Sequence, residues 1–414
     1  MQAALIFFAA FPFLQILPLQ TYNQPYAIVT AMLMLALLPG ILMNLPQRDR
    51  IWLVWLAIVG AVLFLFAALQ GSSLREVQYL LAYISPVILV TAIYSAMEDN
   101  EEQVRTIIMF AILAWVSVSL IQRLISSDFM LFLIVQAETE NLALNILESG
   151  RGVLSLAPEP THHGFHMITL AATHYLLRGP AWITALAVAD AILLAMSSSA
   201  LMTLVLGGVV WSLLYLPRWG LLAAGLLAAA VGRIALIEFV DESSRIGQLV
   251  TYALEIGPEI VFIDYSINGR VFGVIEPVAY SIGNYLLPLG MSHETWMDVR
   301  ELILSEKFHV KDLSSSGPAS GYGLILFQGG LLVVPVLLYF FSTLCWEVRR
   351  DIMGFVTVAA FLVFLGQINL STPSFSLVLA AAILVRERRA ELADEDETPD
   401  PQEHTPELSS GSRT

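Results

Sequence analysis

Apolar residues run almost uninterrupted through twelve stretches of the chain, near residues 3–19, 25–45, 51–69, 77–96, 104–121, 164–178, 180–196, 199–216, 219–237, 321–345, 352–369 and 372–385. About 20 such residues cross a bilayer as a helix. The pattern therefore predicts an all-α, polytopic integral membrane protein with about twelve transmembrane helices. Polar residues gather between the runs, and two of these intervals are long, 122–163 and 238–320. Structureless loops of that length are uncommon and are usually functional. Within the second, Ile246, Leu249, Val250, Ala253 and Leu254 fall at helical spacing, as do Trp296, Val299 and Ile303. This predicts a large outer loop containing amphipathic helices that lie on or against the apolar spans. The expected organisation is N-terminal spans over 1–121, a first long outer loop over 122–163 and central spans over 164–237. The large outer loop over 238–320, C-terminal spans over 321–389 and an acidic, disordered cytoplasmic tail over 390–414 complete it. No internal repeat suggests the two-fold architecture of many secondary transporters.

Composition sharpens this picture. Of 414 residues 57% are hydrophobic and only 13% are charged, against roughly 25% charged in soluble domains. The formal net charge of −15 is partly a property of the tail, where eight acids from Glu391 to Glu407 face Arg413 alone. Without that tail, 19 basic residues face 27 acidic ones, a balance of −8. Arginines set the orientation: Arg48, Arg50, Arg105, Arg178, Arg218, Arg349, Arg350, Arg386, Arg388 and Arg389 fall in alternate short connections, whereas the opposite short connections hold little beyond Arg75. Basic residues mark the cytoplasmic side, so both termini are expected inside and both long loops outside. The apolar run that follows Met1 lacks a basic n-region, so no cleaved signal peptide is expected. Cys345 is the single cysteine; it excludes an intramolecular disulfide and reads as a small core residue.

Ionisable residues inside membrane spans mark ion-coupled transport. Here Asp190 is the one clear mid-span acid, with His166, His174 and Arg233 nearer span ends, and a hydrogen-bonded structural role for Asp190 is the favoured expectation. His162 and His166 are four apart beside Glu159 and His163, a spacing that can share zinc on a helix. Pro160 delays the helix there and no third fixed ligand is evident, so no metal is expected. There is no phosphate-binding glycine loop, and nothing points to a nucleic-acid partner. Of the 20 basic residues outside histidine, 18 are arginine, while Lys307 and Lys311 both lie in the large outer loop. Arginine suits bidentate phosphate contacts. Arg151 and Arg270 stand out because each sits in a glycine-containing turn.

Several local patterns follow in order: Arg151 ahead of Glu159-Pro160, Ser197-Ser198-Ser199 after a span, Asn268-Gly269-Arg270, Pro288-Leu289-Gly290, and Gly321 through Leu332 opening a span. With the number of spans, this arrangement resembles the O-antigen polymerase and O-antigen ligase superfamily of bacterial envelope glycosyltransferases. The resemblance implies a GT-C-like membrane fold in the bacterial inner membrane and a metal-independent transferase needing no cofactor. Its donor would be a glycan on polyprenyl diphosphate at the outer leaflet. An acceptor hydroxyl attacks the anomeric carbon and the lipid diphosphate leaves. Membrane lipid and a chain-length regulator protein are the further partners it implies. Departure of a diphosphate develops negative charge that fixed positive charge stabilises; the resemblance assigns that role to Arg151 and Arg270, with Arg245 and Arg300 as further substrate contacts. A base for the hydroxyl proton would be Glu159, followed by His162 and His163, with Glu276 a distant fourth. Ligases of the superfamily carry a functional His about eleven positions before the Gly of a Gly-Leu-Leu segment. Counting back from Gly330 reaches Ala319-Ser320, while His293 and His309 are out of register. This departure favours a polysaccharide polymerase over a ligase-like transferase. A lipid-linked glycan flippase or transporter is the alternative from another class, and the scarcity of charge in the spans speaks against it.

Overall fold

The computed structural model describes residues 1–17, 19, 23–69, 71, 74–134, 152–218, 220, 251, 255–263, 265–346 and 370–397. Thirteen helices of eight or more residues are found among the described residues: α1 (Gln2–Ala10), α2 (Tyr26–Leu37), α3 (Gln47–Leu69), α4 (Leu74–Asp99), α5 (Glu101–Leu124), α6 (Pro160–Leu176), α7 (Ala181–Leu193), α8 (Ser198–Tyr215), α9 (Tyr265–Gly283), α10 (His293–Glu306), α11 (Gly321–Gly329), α12 (Val334–Phe341) and α13 (Pro373–Glu397). No β-strand occurs among the described residues; a lone bridge pairs Leu14 with Ile134. Among the described residues three helices, α3, α4 (from Arg75) and α5, are long and apolar enough to cross a membrane. Shorter apolar helices accompany them at Tyr26–Leu37, Ala181–Leu193, Val271–Gly283, Gly321–Leu332 and Val334–Cys345. The expected runs over 219–237 and 352–369 lie outside the described residues, apart from Gly220.

Helix breakers divide several of the apolar runs. The first yields helix only to Ala10, ahead of Pro12, and the second breaks at Pro39-Gly40, leaving one helical turn at Ile41–Asn44. The run over 321–345 is split at Gly330, whose φ is +51°. There an added Cβ would stand 2.2 Å from the Leu286 carbonyl oxygen, so glycine is required both for the backbone conformation and for the close approach.

A helix that is apolar all round is buried, and α13 follows this rule. Phe375, Leu377, Val378, Leu379, Ala380, Ala381 and Ile383 are all fully enclosed, and α13 packs on α4 and α6. Nearly all of α6 is also buried, although it carries histidines and threonines. Its threonine hydroxyls are satisfied locally, Thr169 Oγ1 donating to the Phe165 carbonyl at 2.8 Å and Thr173 Oγ1 to that of Thr169 at 2.9 Å. Beyond the span α13 stays helical to Glu397, so the disorder expected from residue 390 does not begin there. Ala, Glu, Leu and Arg are good helix formers and extend a helix already anchored by packing.

A smaller apolar cluster unites the segments after Tyr265. It contains Phe272 of α9, Trp296, Val299 and Ile303 of α10, Val310 and Leu313 of the following loop, and Phe327 of α11. The expected amphipathic helix around Trp296 is thus present as α10. Helix α9 is an element that the reading of this region as loop did not anticipate. Pro277 within it has no N–H to bond the Gly273 carbonyl four residues back, and Ala319 N–H takes that oxygen instead at 3.3 Å. The missing helical bond becomes the joint between α9 and the approach to α11. Asn268 is fully buried and makes a second joint. Its amide donates to the carbonyls of Val261 (3.0 Å) and His309 (2.7 Å) and accepts the Lys311 N–H at 2.8 Å.

The bundle has two distinct ends, and α4 measures their separation. Tyr79 and Asp99 stand 20 residues apart on it, roughly 30 Å at 1.5 Å per residue. At the Asp99 end charges pair with one another. Asp49, fully buried, meets the Arg386 guanidinium and accepts the Tyr339 hydroxyl at 2.6 Å. Arg388 pairs with Glu101, and Gln2 Nε2 donates to Asp99 at 2.5 Å.

Candidate functional site

At the Tyr79 end three helix starts surround a cavity of about 300 Å³ lined by Tyr79, Glu159, His162, Ser314, Ser316 and Ser320, among others. Tyr79 belongs to the second turn of α4. Glu159 is the N-cap of α6, Pro160 follows at its first position and His162 sits one turn in. Proline is suited to that position because its missing N–H has no partner to lose. Ser320 caps α11, its Oγ accepting the Gly323 N–H at 2.8 Å. The cavity therefore joins the two intervals that the sequence marks as outer loops, 122–163 and 238–320.

The serine segment is held rather than merely adjacent. Tyr79 Oη donates to the Ser316 carbonyl at 2.7 Å. With that proton committed, the His293 Nδ1 at 3.1 Å donates to the phenol oxygen. Glu76 Oε1 accepts the His293 backbone N–H at 2.9 Å, which ties the start of α10 to the start of α4. The Ser314 and Ser316 hydroxyls are 2.8 Å apart. Gly317 turns the chain at φ +141°, beneath the Tyr79 ring. Glu76, Tyr79 and His293 are absent from the sequence-based candidates. Glu76 and Tyr79 lie one helical turn apart at the head of an apolar run, the spacing that could have exposed them.

The first turns of helices carry partial positive charge from unpaired N–H groups, and those of α6 and α11 face this cavity. Glu159 makes no side-chain cap bond and its side chain is exposed; among the described residues no donor satisfies it. Among the described residues no Lys or Arg side chain lines the cavity. The site thus offers a free carboxylate, an imidazole, several hydroxyls and backbone dipoles. That set suits a ligand rich in hydroxyl groups, one of which can lose a proton to Glu159.

His163 is one residue past His162 and so points about 100° around α6, into the buried face. It does not line the cavity as expected. Its Nε2 meets Asp190 Oδ2 at 2.6 Å and Ser119 Oγ at 3.3 Å, and its Nδ1 meets the Val153 carbonyl at 3.2 Å. Both ring nitrogens are thus engaged inside the bundle. Asp190 is accordingly a hydrogen-bonded partner within the bundle. The same network draws the irregular residues 152–158 into the interior. Gln122 exchanges hydrogen bonds with the Ser155 backbone (2.6 and 2.9 Å), Ser155 Oγ donates to the Trp115 carbonyl, and Val153 N–H donates to the Leu194 carbonyl. An irregular buried segment is tolerated when its backbone groups are paired this way.

Arg300 also lies away from the cavity. It donates to the Leu313 carbonyl at 2.6 Å and pairs with Asp312 at 3.4 Å, anchoring the residues that lead into the serine segment. Glu276 is buried and paired with Lys307, with His309 Nε2 at 3.7 Å. Arg151 and Arg245 lie outside the described residues, as does the side chain of Arg270, whose backbone belongs to α9. Among the described residues no three His, Cys, Asp or Glu side chains gather as a metal site. His166 is instead spent on Ser374 Oγ (2.9 Å) and the Ala10 carbonyl (2.8 Å). No family model matches the chain, and no curated protein matches it in sequence.

Proposed function

We propose that this protein is a membrane glycosyltransferase that joins polyprenyl-diphosphate-linked oligosaccharide units at the outer face of a bacterial inner membrane, as a polysaccharide polymerase does. The observation that carries the reading is the cavity that places Glu159 and His162 against the Ser314–Ser320 segment at one end of a bundle of apolar helices. A lipid-linked donor needs its sugar at a membrane surface, and an acceptor hydroxyl needs a base beside it. Glu159 is that base in this reading. Helix starts around the cavity favour the negative charge that develops as diphosphate departs, and Arg151 and Arg270 would supply the rest. Arg300 and His163 support the site without touching substrate. A chain-length regulator would be the partner protein. One observation favours the ligase-like alternative: His293, out of register along the sequence, stands beside Tyr79 at the cavity wall.

The test uses membranes from cells lacking their own surface-polysaccharide polymerase, supplied with wild type, Glu159→Gln or Arg270→Ala at equal protein level, together with the matching lipid-linked repeat unit. A ladder of glycan lengths from wild type and none from either variant supports the reading. Transfer of single units to a different acceptor would replace polymerase by ligase. Movement of intact lipid-linked units across vesicles without bond formation would replace both by a flippase.

A further inference from the structure

The segment from Tyr265 to Met291 lies in an interval expected to stay outside the membrane, yet its contacts with α11 follow a descending register. Gly273 meets Ala319, the Tyr280 and Phe327 rings are 6.4 Å apart, and the Leu286 carbonyl accepts the Leu331 N–H at 2.7 Å. The chain then turns and climbs back: Gly290 N–H donates to the Gln328 carbonyl at 3.0 Å, and His293 reaches Glu76 at the cavity end. The depth of the turn is set by α3. The Leu332 carbonyl, one residue past the contact with Leu286, accepts the Trp55 indole N–H at 2.9 Å. Trp55 stands 8 residues from one end of α3 and 14 from the other, roughly 12 and 21 Å at helical rise.

We infer that residues 265–291 form a re-entrant hairpin that dips into the bilayer and returns, with its outer face against lipid acyl chains. Two features of the turn fit hydrocarbon better than water. The first is its surface: Ile275, Ile282, Tyr285 and Leu287 are 50–87% exposed, and Leu331, bonded to Leu286, is exposed with Leu332 beside it. The second is its backbone. The N–H groups of Asn284, Tyr285, Leu286 and Leu287 all donate within the turn, to the carbonyls of Tyr280, Ile282, Ser281 and Asn284, and Pro288 has none to satisfy. Pairing of four consecutive donors is optional in water and favoured in lipid. It is achieved although Tyr285 and Leu286 must both adopt left-handed backbone, at φ +57° and +56°. The partner surface is the membrane itself, and the inference stands whether or not the transferase reading does.

The experiment places single cysteines in the full chain on a Cys345→Ala background, at Ile282, Tyr285 and Leu287. Val54 on the exposed face of α3 serves as the lipid reference and the exposed Glu294 at the start of α10 as the aqueous one. Spin-labelled protein in phosphatidylethanolamine and phosphatidylglycerol vesicles is read for collisions with oxygen and with a water-soluble nickel chelate. Oxygen-to-nickel ratios at the three hairpin positions close to that at Val54, and several-fold above that at Glu294, are expected. Ratios matching Glu294 at the positions whose variants elute as wild type would overturn the hairpin. Three sites guard against one substitution disturbing the turn.

Discussion

Asp49 and Glu159, at opposite ends of the bundle, are treated in opposite ways. Asp49 is wholly buried and answered by Arg386 and Tyr339, and Glu101 is answered by Arg388. At the other end Glu159 caps a helix with no side-chain cap bond, its side chain exposed beside His162 and a run of serines. Charges that neutralise each other close a surface. A carboxylate left over, among hydroxyls and helix dipoles, keeps its end chemically open. The difference separates residues that hold the fold from residues available for work, although both sets are polar residues at the mouths of apolar helices.

Substitutions can break or sharpen that contrast. The largest effect is expected from Asp49→Ala, which takes the buried carboxylate from both Arg386 and Tyr339 and leaves the guanidinium with Glu387; loss of one partner of a buried pair costs about 3–5 kcal/mol. A markedly lower unfolding midpoint in detergent is the result, and an unchanged midpoint would mean that this end is not locked. Glu159→Gln should do the reverse: a roughly 10²-fold or greater fall in transfer rate, as expected for a missing base, with the midpoint held, since surface changes stay within about 0.5 kcal/mol. A large midpoint loss would make Glu159 a structural cap instead. Gly330→Ala sets a Cβ against the Leu286 carbonyl and strains a left-handed residue; about 1–3 kcal/mol is expected, read in the same thermal assay. Tyr79→Phe removes the hydrogen bonds to Ser316 and His293 at a cost of about 1 kcal/mol. Its sharper signature is faster proteolysis of the serine segment relative to wild type. Smallest of all is Arg388→Gln. Its pair with Glu101 is partly exposed, and such pairs contribute about 0–1 kcal/mol, so a clear drop in midpoint would show the pair to be part of the lock.

The sequence pattern recovered what depends on long apolar runs. Helices α3, α4 and α5 lie where hydropathy puts them, and Trp296, Val299 and Ile303 mark α10 by their spacing. It missed α9 because Glu276 and Pro277 interrupt a run of only 13 apolar-rich residues, and neither the Lys307 partner nor the Ala319 N–H that compensates them is visible locally. Residues 152–158 are irregular in the structure, but nothing in their composition reveals that they are buried, with Gln122 bonded to Ser155. At the site, the sequence singles out Glu159 for its place near Arg151, with His162 close behind it, and the structure puts both side chains at the cavity. His163 carries the same chemistry one residue later and is turned inward by helical geometry alone. Tyr79, Glu76 and His293 matter through contacts more than 200 residues apart in sequence, which no local pattern encodes.

Phe327 belongs to the smaller apolar cluster, while Leu324 and Ile325 on the same helix belong to the main one. Helix α11 is therefore a shared keel. A rotation of α10 and its neighbours must carry Phe327, and with it the helix whose cap, Ser320, forms part of the cavity wall. At the far end of that lever sits Gly330, clamped against the Leu286 backbone. Displacement of the smaller cluster is thereby tied, through one helix, to the wall of the cavity.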